Sequence, residues 1–186
     1  MRIVGGKYRN RRLHPPREIA ARPTTDFAKE GLFNVLQHSI ALDGIRVLDL
    51  FAGTGNISLE FLSRGAAEVI SVDQDRVLFN FMQRMARELN EMHWRMVKQD
   101  VFTFLNAHRG RYDIVFADPP FHMEGIDRIP TLVFNAGLLG TDGTLIMEHQ
   151  EKLDLSHLPG YQRTRSYGLV QFSFFAPPEP ASTTNP

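Results

Sequence analysis

From Gly44 onward, short apolar runs alternate with stretches of helical periodicity, and this alternation leaves few architectures open. The runs cover residues 45–51, 68–73, 94–98, 112–117 and 144–148. Between the second and third, Val77, Leu78, Phe81, Met82, Met85 and Leu89 recur at helical spacing, as a core-facing stripe does. Strand, helix, strand in repetition implies right-handed crossovers and a mostly parallel sheet, hence an α/β fold. The end of the chain departs from this pattern. Two strand-like runs, 161–166 and 169–176, flank Tyr167-Gly168 and predict a closing antiparallel hairpin.

Two pieces precede the sheet. Residues 2–4 and 11–14 flank Gly5-Gly6 and predict a small β-hairpin arm. Thr24-Thr25-Asp26 offers N-cap chemistry for a helix through about His38, with Phe27, Leu32, Val35 and Leu36 as its apolar face. Gly31 inside that helix should cost about 1 kcal/mol relative to Ala. The Pro177-Pro178-Glu179-Pro180 stretch opens a polar tail expected to be disordered. The expected organisation is an arm over 1–22, one domain over 23–176 and a tail over 177–186. At 186 residues the chain supports one substantial core.

There are no cysteines, which excludes disulfides, thiolate zinc sites and cysteine nucleophiles. No apolar run approaches the length of a membrane span, and the first residues lack a secretory h-region, so a cytoplasmic protein is expected. Seven histidines are present without metal-ligand spacing, so no metal is expected. Net charge is zero, but seven of the 21 basic residues fall in the first 22 positions against one acid, Glu18. The rest of the chain is correspondingly acidic. A basic arm on an acidic domain suits phosphate contact, and Lys7, Arg9, Arg11 and Arg12 are its candidate residues.

The strongest local signal is Asp49-Leu50-Phe51-Ala52-Gly53-Thr54-Gly55, which closes the first strand and opens a helix at Asn56. Gly53 and Gly55 permit a sharp turn and a close backbone approach to a ligand. Gly-x-Gly also fits dinucleotide binding, but Ser58 replaces the third glycine of that pattern, and Asp49 would repel a pyrophosphate. A carboxylate suits the ammonium of S-adenosyl-L-methionine, which carries no phosphate. Asp73, with Gln74 beside it, ends the second strand where an acid accepts ribose hydroxyls, and Asp100, with Val101, follows the third, where it suits an adenine amine or a helix N-cap.

Asp118-Pro119-Pro120-Phe121 follows the fourth strand. An exocyclic amine is a poor nucleophile because its lone pair is delocalised into the ring. Acceptors on its N–H bonds, the Asp118 carboxylate and the Pro119 carbonyl, would favour pyramidal nitrogen and stabilise developing positive charge. Pro119 and Pro120 stiffen the loop, and Phe121 is placed to stack on an extruded base. All four signals fall at carboxyl ends of strands, which form one crevice in a doubly wound sheet. Methyl transfer is the expected chemistry.

These residues, together with Arg2-Ile3-Val4-Gly5-Gly6, Arg22-Pro23-Thr24-Thr25-Asp26, Leu32-Phe33-Asn34, Leu62-Ser63-Arg64-Gly65-Ala66, Tyr112-Asp113-Ile114-Val115-Phe116 and Tyr167-Gly168, closely resemble the RsmD-type ribosomal RNA methyltransferases over residues 1–176. The resemblance implies a Rossmann-like, seven-stranded class I methyltransferase sheet with an N-terminal hairpin and a basic arm that meets ribosomal RNA; a monomer is expected. It implies methyl transfer from S-adenosyl-L-methionine to guanine N2 at position 966 of 16S ribosomal RNA, in an assembling 30S subunit, with no membrane partner. It also implies that Arg22, Pro23 and Thr24 lie near the methionine moiety, alongside Asp49, Phe51, Gly53, Thr54, Gly55, Asp73, Gln74, Asp100, Val101 and Asp118 in the cofactor site. The chain departs from the family at Phe27 and Ala28, where basic residues are usual, at Met85 in place of a common Asn, and at Asp73 in place of a frequent Glu.

Other readings stay open at this point. Asp-Pro-Pro-Phe also serves adenine N6 in DNA or RNA. A non-catalytic RNA-binding assembly factor could keep the same fold, and a nicotinamide dehydrogenase fits the Gly-x-Gly turn less well. His122 borders the expected substrate pocket, where it could assist.

Overall fold

A computed structural model describes residues 1–15 and 25–178. Its elements, in chain order, are α1 (Asp26–Ser39), β1 (Arg46–Leu50), α2 (Asn56–Ser63), β2 (Glu68–Asp73), α3 (Arg76–Leu89), β3 (Trp94–Lys98), α4 (Val101–Ala107), β4 (Tyr112–Ala117), α5 (Ile129–Asn135), β5 (Leu139–Gln150), β6 (Tyr161–Tyr167) and β7 (Val170–Phe175). Short 3₁₀ turns occupy Gly6–Tyr8 and Ile126–Arg128. The seven strands form one sheet in the order β3-β2-β1-β4-β5-β7-β6. Strands β1 to β5 pair in parallel, while β7 runs antiparallel between β5 and β6. The parallel sheet and its closing hairpin match the sequence expectation.

Alternation along the strands sends successive side chains to opposite faces. Val47, Ile114, Phe116 and Ile146 enter one core with α1, α2 and α3. Leu48, Leu50, Val115, Ala117, Leu145 and Met147 enter the other with α4 and α5. The strand order reverses at β1, between β2 and β4, so the β1 and β4 loops meet at a switch point on the carboxyl edge.

The N-terminal arm folds back on itself as a small hairpin, as expected: an antiparallel bridge joins Arg2 to Arg12, and the Ile3, Asn10 and Leu13 amides donate to the Arg11, Ile3 and Met1 carbonyls at 3.0, 2.8 and 3.0 Å around the Gly6–Tyr8 turn. The turn is also pinned to α2: the Val4 amide donates to Glu60 Oε2 at 2.9 Å and the Tyr8 amide to Ser63 Oγ at 2.9 Å. One element differs from expectation. Strand β5 begins five residues before the apolar run, because Leu139 already pairs with Tyr112 across an irregularity that the close-packed Gly143 permits. The tail from residue 179 lies outside the described residues.

A buried polar knot fixes the arm. Lys29, with no exposed surface, donates to Asn56 Oδ1 at 2.8 Å and to the Arg2 carbonyl, and pairs with Glu60 at 3.5 Å. Glu60 also binds Arg64 at 2.9 Å. Removing one member would strand the others, at about 3–5 kcal/mol.

Candidate active site

The β1–α2 turn begins with Phe51 at φ 62°, a non-glycine residue in the left-handed region, and continues through Gly53 at φ 56° and Gly55 at φ 72°. Three such residues in five reverse the chain into α2 within a few ångströms of β2. The two glycines serve different ends. A Cβ on Gly53 would meet little, so this backbone faces open space. A Cβ on Gly55 would lie 2.5 Å from the Trp94 ring, so that glycine admits the helix to the core.

The open space is a cavity of about 820 Å³. Phe51 and Gly53 line it from the β1 turn, Asp73 and Gln74 from the end of β2, Asp100 and Val101 from the start of α4, and Asp118 to Phe121 from the loop after β4. The expected segments therefore converge on one hollow at the carboxyl edge. Asp49, Thr54 and Gly55 do not line it. Arg22, Pro23 and Thr24 lie outside the described residues.

Asp73 is the hinge of the cavity wall. Its Oδ2 accepts the Gly53 amide at 2.8 Å and its Oδ1 the Asp75 amide at 2.8 Å. Burial raises its carboxyl above the ordinary aspartate range, against these amide bonds. Each oxygen has a further lone-pair direction for a hydroxyl donor. Asp100 caps α4: its Oδ1 accepts the Thr103 amide at 2.8 Å and the Thr103 hydroxyl at 3.0 Å.

Asp49 sits below the turn, 1% exposed, and accepts the Ser58 hydroxyl. Ser58 in turn meets the Ser71 hydroxyl, to which the Trp94 indole donates at 2.7 Å. Asp49 thus heads a buried chain of polar groups that supports the turn. Burial pushes the Asp49 carboxyl up to about 7, with the charges of Asp73 and Glu148 adding and the Ser58 bond opposing. Thr54 is also turned inward, its hydroxyl 3.1 Å from Met1 Sδ.

Asp118 is raised well above its usual value by burial first, then by the charges of Glu148 and Asp49. Glu148 did not emerge from the sequence reading. It is 4% exposed and lines the large cavity with Asp118. It also lines a second cavity of about 440 Å³, which shares Pro119, Phe121 and Met123 with the first. Phe121, half exposed, stands at the junction, and His122 lines the second cavity.

The large cavity fits S-adenosyl-L-methionine by its donor set. Asp73, Asp100, Asp118 and Glu148 face it, as do Asp75 and a single arginine, Arg76. Carboxylates suit a sulfonium and hydroxyl-bearing ligand and oppose a pyrophosphate. Among the described residues, no group of three or more His, Asp or Glu side chains is arranged to hold a metal, and no helix is long and apolar enough to cross a membrane.

On the arm, Arg9, Arg11 and Arg12 are exposed, whereas Lys7 pairs with the buried Glu91 at 2.7 Å. The Tyr8 hydroxyl donates to the same carboxylate at 2.8 Å. Lys7 is thus tied into the fold in a way its three neighbours are not.

Comparison with known proteins agrees with this fold. The Escherichia coli K12 protein named ribosomal RNA small subunit methyltransferase D is 33% identical over 178 residues, covering 94% of this chain and 89% of its own. The solved structure of the Escherichia coli protein yhhF superposes with a TM-score of 0.85 at 28% identity, covering 96% of this chain and 98% of that one. The T. thermophilus 16S rRNA N2 G1207 methyltransferase RsmC, in complex with AdoMet and guanosine, gives a TM-score of 0.66 at 27% identity, covering 84% of this chain and 44% of that one. The family described as Conserved hypothetical protein 95 matches residues 1–176. With a class I methyltransferase sheet and a match across nearly its whole described length, the chain belongs to that family, the RsmD-type methyltransferases.

Proposed function

We propose that the protein is an S-adenosyl-L-methionine-dependent methyltransferase of 16S ribosomal RNA, acting on the N2 amine of guanine 966 in an assembling 30S subunit. The carrying observation is the position of Asp118-Pro119: Asp118 lines the carboxylate-rich cavity, and Pro119 beside it lines both that cavity and a second hollow, as does Phe121. A donor on one side and a base on the other would meet there. The relatives' ribosomal RNA chemistry supports the choice of acceptor.

When bound, S-adenosyl-L-methionine supplies a methyl group on a positively charged sulfur. Asp73 and the Gly53 backbone would hold the nucleoside end, and Asp100 the adenine side. Asp118 and the Pro119 carbonyl would accept the two amine hydrogens and turn the nitrogen lone pair toward the donor. The Asp118 carboxylate would also stabilise the positive charge that develops on nitrogen. The methylated nitrogen is then strongly acidic and gives its proton to Asp118 or to water. Phe121 would hold the extruded base by stacking.

Nucleoside mass spectrometry and primer extension on ribosomal RNA from a deletion strain test the assignment. The expected result is loss of one 2-methylguanosine at guanine 966, restored by the wild-type gene. An unchanged 2-methylguanosine content, with another methylated base missing, overturns it.

A further inference from the structure

Glu148 enters the site by strand register. Ala117 of β4 pairs with Met147 of β5, so the next residues stand side by side, Asp118 just past the end of β4 and Glu148 still inside β5, where it pairs with Phe172 of β7. Neighbouring strands lie about 4.8 Å apart, and the Asp118 carboxyl feels the Glu148 charge directly. Glu148 lines both cavities, and Pro119 and Phe121, the residues beside which an acceptor base would lie, do the same. A nearly buried carboxylate there can only accept hydrogen bonds when ionised.

The edge of guanine that carries N2 presents a second donor, N1–H, immediately beside the amine. Adenine presents a bare lone pair at the atom next to its amine. Two adjacent carboxylates facing such an edge are complementary to guanine and repel adenine.

We propose that Glu148 is the guanine-selecting residue, accepting N1–H while Asp118 and the Pro119 carbonyl take the N2 hydrogens. This rests on the guanine-N2 reading above. Discrimination arises because a base without N1–H leaves a buried carboxylate facing a lone pair, and a good specific pair of this kind discriminates by roughly 1–3 kcal/mol, on the order of 10 to 10² in rate.

The test compares kcat/KM of the full-length enzyme on small-subunit ribosomal RNA carrying either guanine or 2-aminopurine at the target position. 2-Aminopurine keeps the amine but lacks N1–H. Wild type should prefer guanine by about 10- to 10²-fold. Glu148→Gln should bring the two bases within about threefold, because an amide can accept from N1–H or donate to a bare N1. Equal use of both bases by wild type overturns the proposal without needing the variant. So does a Glu148→Gln enzyme that loses activity on both bases by one factor, which would mark a structural role or selection through the guanine O6. Failure of wild type to methylate the guanine RNA would instead refute the guanine-N2 assignment itself.

Discussion

Asp73 and Gly53 are joined across the first two strands, with the Gly53 amide 2.8 Å from Asp73 Oδ2. The residue expected to hold the ribose therefore also fixes the backbone that forms the opposite wall of the cavity. Asp73→Ala should weaken S-adenosylhomocysteine binding on the order of 10²-fold by calorimetry, more than the loss of a ribose contact alone. Asp73→Glu, which keeps the acceptor, should recover much of it. Equal affinities in wild type and Asp73→Ala would remove Asp73 from the site.

Asp118 should affect chemistry far more than cofactor affinity. On the proposed mechanism, Asp118→Ala would remove the acceptor for the amine and the charge that stabilises the transition state, so kcat should fall by about 10³-fold or more. S-adenosylhomocysteine affinity should change by less than about fivefold, because the proposed nucleoside contacts, Gly53, Asp73 and Asp100, come from other loops. Single-turnover methylation beside a calorimetric titration checks both parts. Retained activity in Asp118→Ala would defeat the mechanism.

Much of this site was legible in the sequence because every segment ends a strand, and parallel strands place their carboxyl ends on one edge. That logic located Phe51, Gly53, Asp73, Asp100 and Asp118 to Phe121 without a structure. Applied to the last run, 144–148, it would also have found Glu148, the residue that closes it. Side-chain direction was not legible. Nothing in the spacing of Asp49 shows that it turns down to Ser58, or that Gly55 is spent on the Trp94 ring. The arm's hairpin was legible from Gly5-Gly6, which is common turn chemistry, but its docking on Glu60 and Ser63, far away in sequence, was not.

The buried Asp49 carboxyl should leave a pH signature on stability. Its folded value of about 7 lies above its value in the unfolded chain, near 3.9. Between those limits the native state binds more protons than the unfolded state, so stability falls as pH rises toward 7 and levels off beyond. Asp49→Asn lacks this dependence. The melting temperature of the variant relative to wild type should therefore rise between pH 5 and pH 7.5, by an amount corresponding to roughly 2–3 kcal/mol. A difference that stays flat across this range would show that Asp49 remains ionised.

Gly31 in α1 costs helix propensity, and the structure supplies the reason for it. A Cβ there would lie 2.0 Å from the Tyr167 ring, which is flanked by Phe27 at 6.0 Å and Phe172 at 5.9 Å between ring centroids. Gly31→Ala should lower the melting temperature even though alanine is favoured in an isolated helix by about 1 kcal/mol. In a Tyr167→Ala background the same substitution should become neutral or stabilising, a non-additivity that thermal melts of the two single variants and the double variant measure. Additive effects would separate Gly31 from Tyr167.

The arm cations divide by their partners, and salt dependence should separate them. Arg11 and Arg12 are exposed on the arm's second segment, so on the proposed function they would act on RNA as point charges against phosphates. Replacing both with Ala should reduce the slope of log affinity against log salt by roughly 1 for each cation, with the melting temperature unchanged. Lys7→Ala should instead destabilise the fold, because it leaves Glu91, with a side chain only 2% exposed, without its ion pair. A lost partner of this kind costs about 1–3 kcal/mol, several degrees of melting temperature in a chain of this length. If Lys7→Ala changes only the salt slope and leaves the melting temperature alone, the Glu91 pair carries no weight in the fold, and all four cations act on RNA alike.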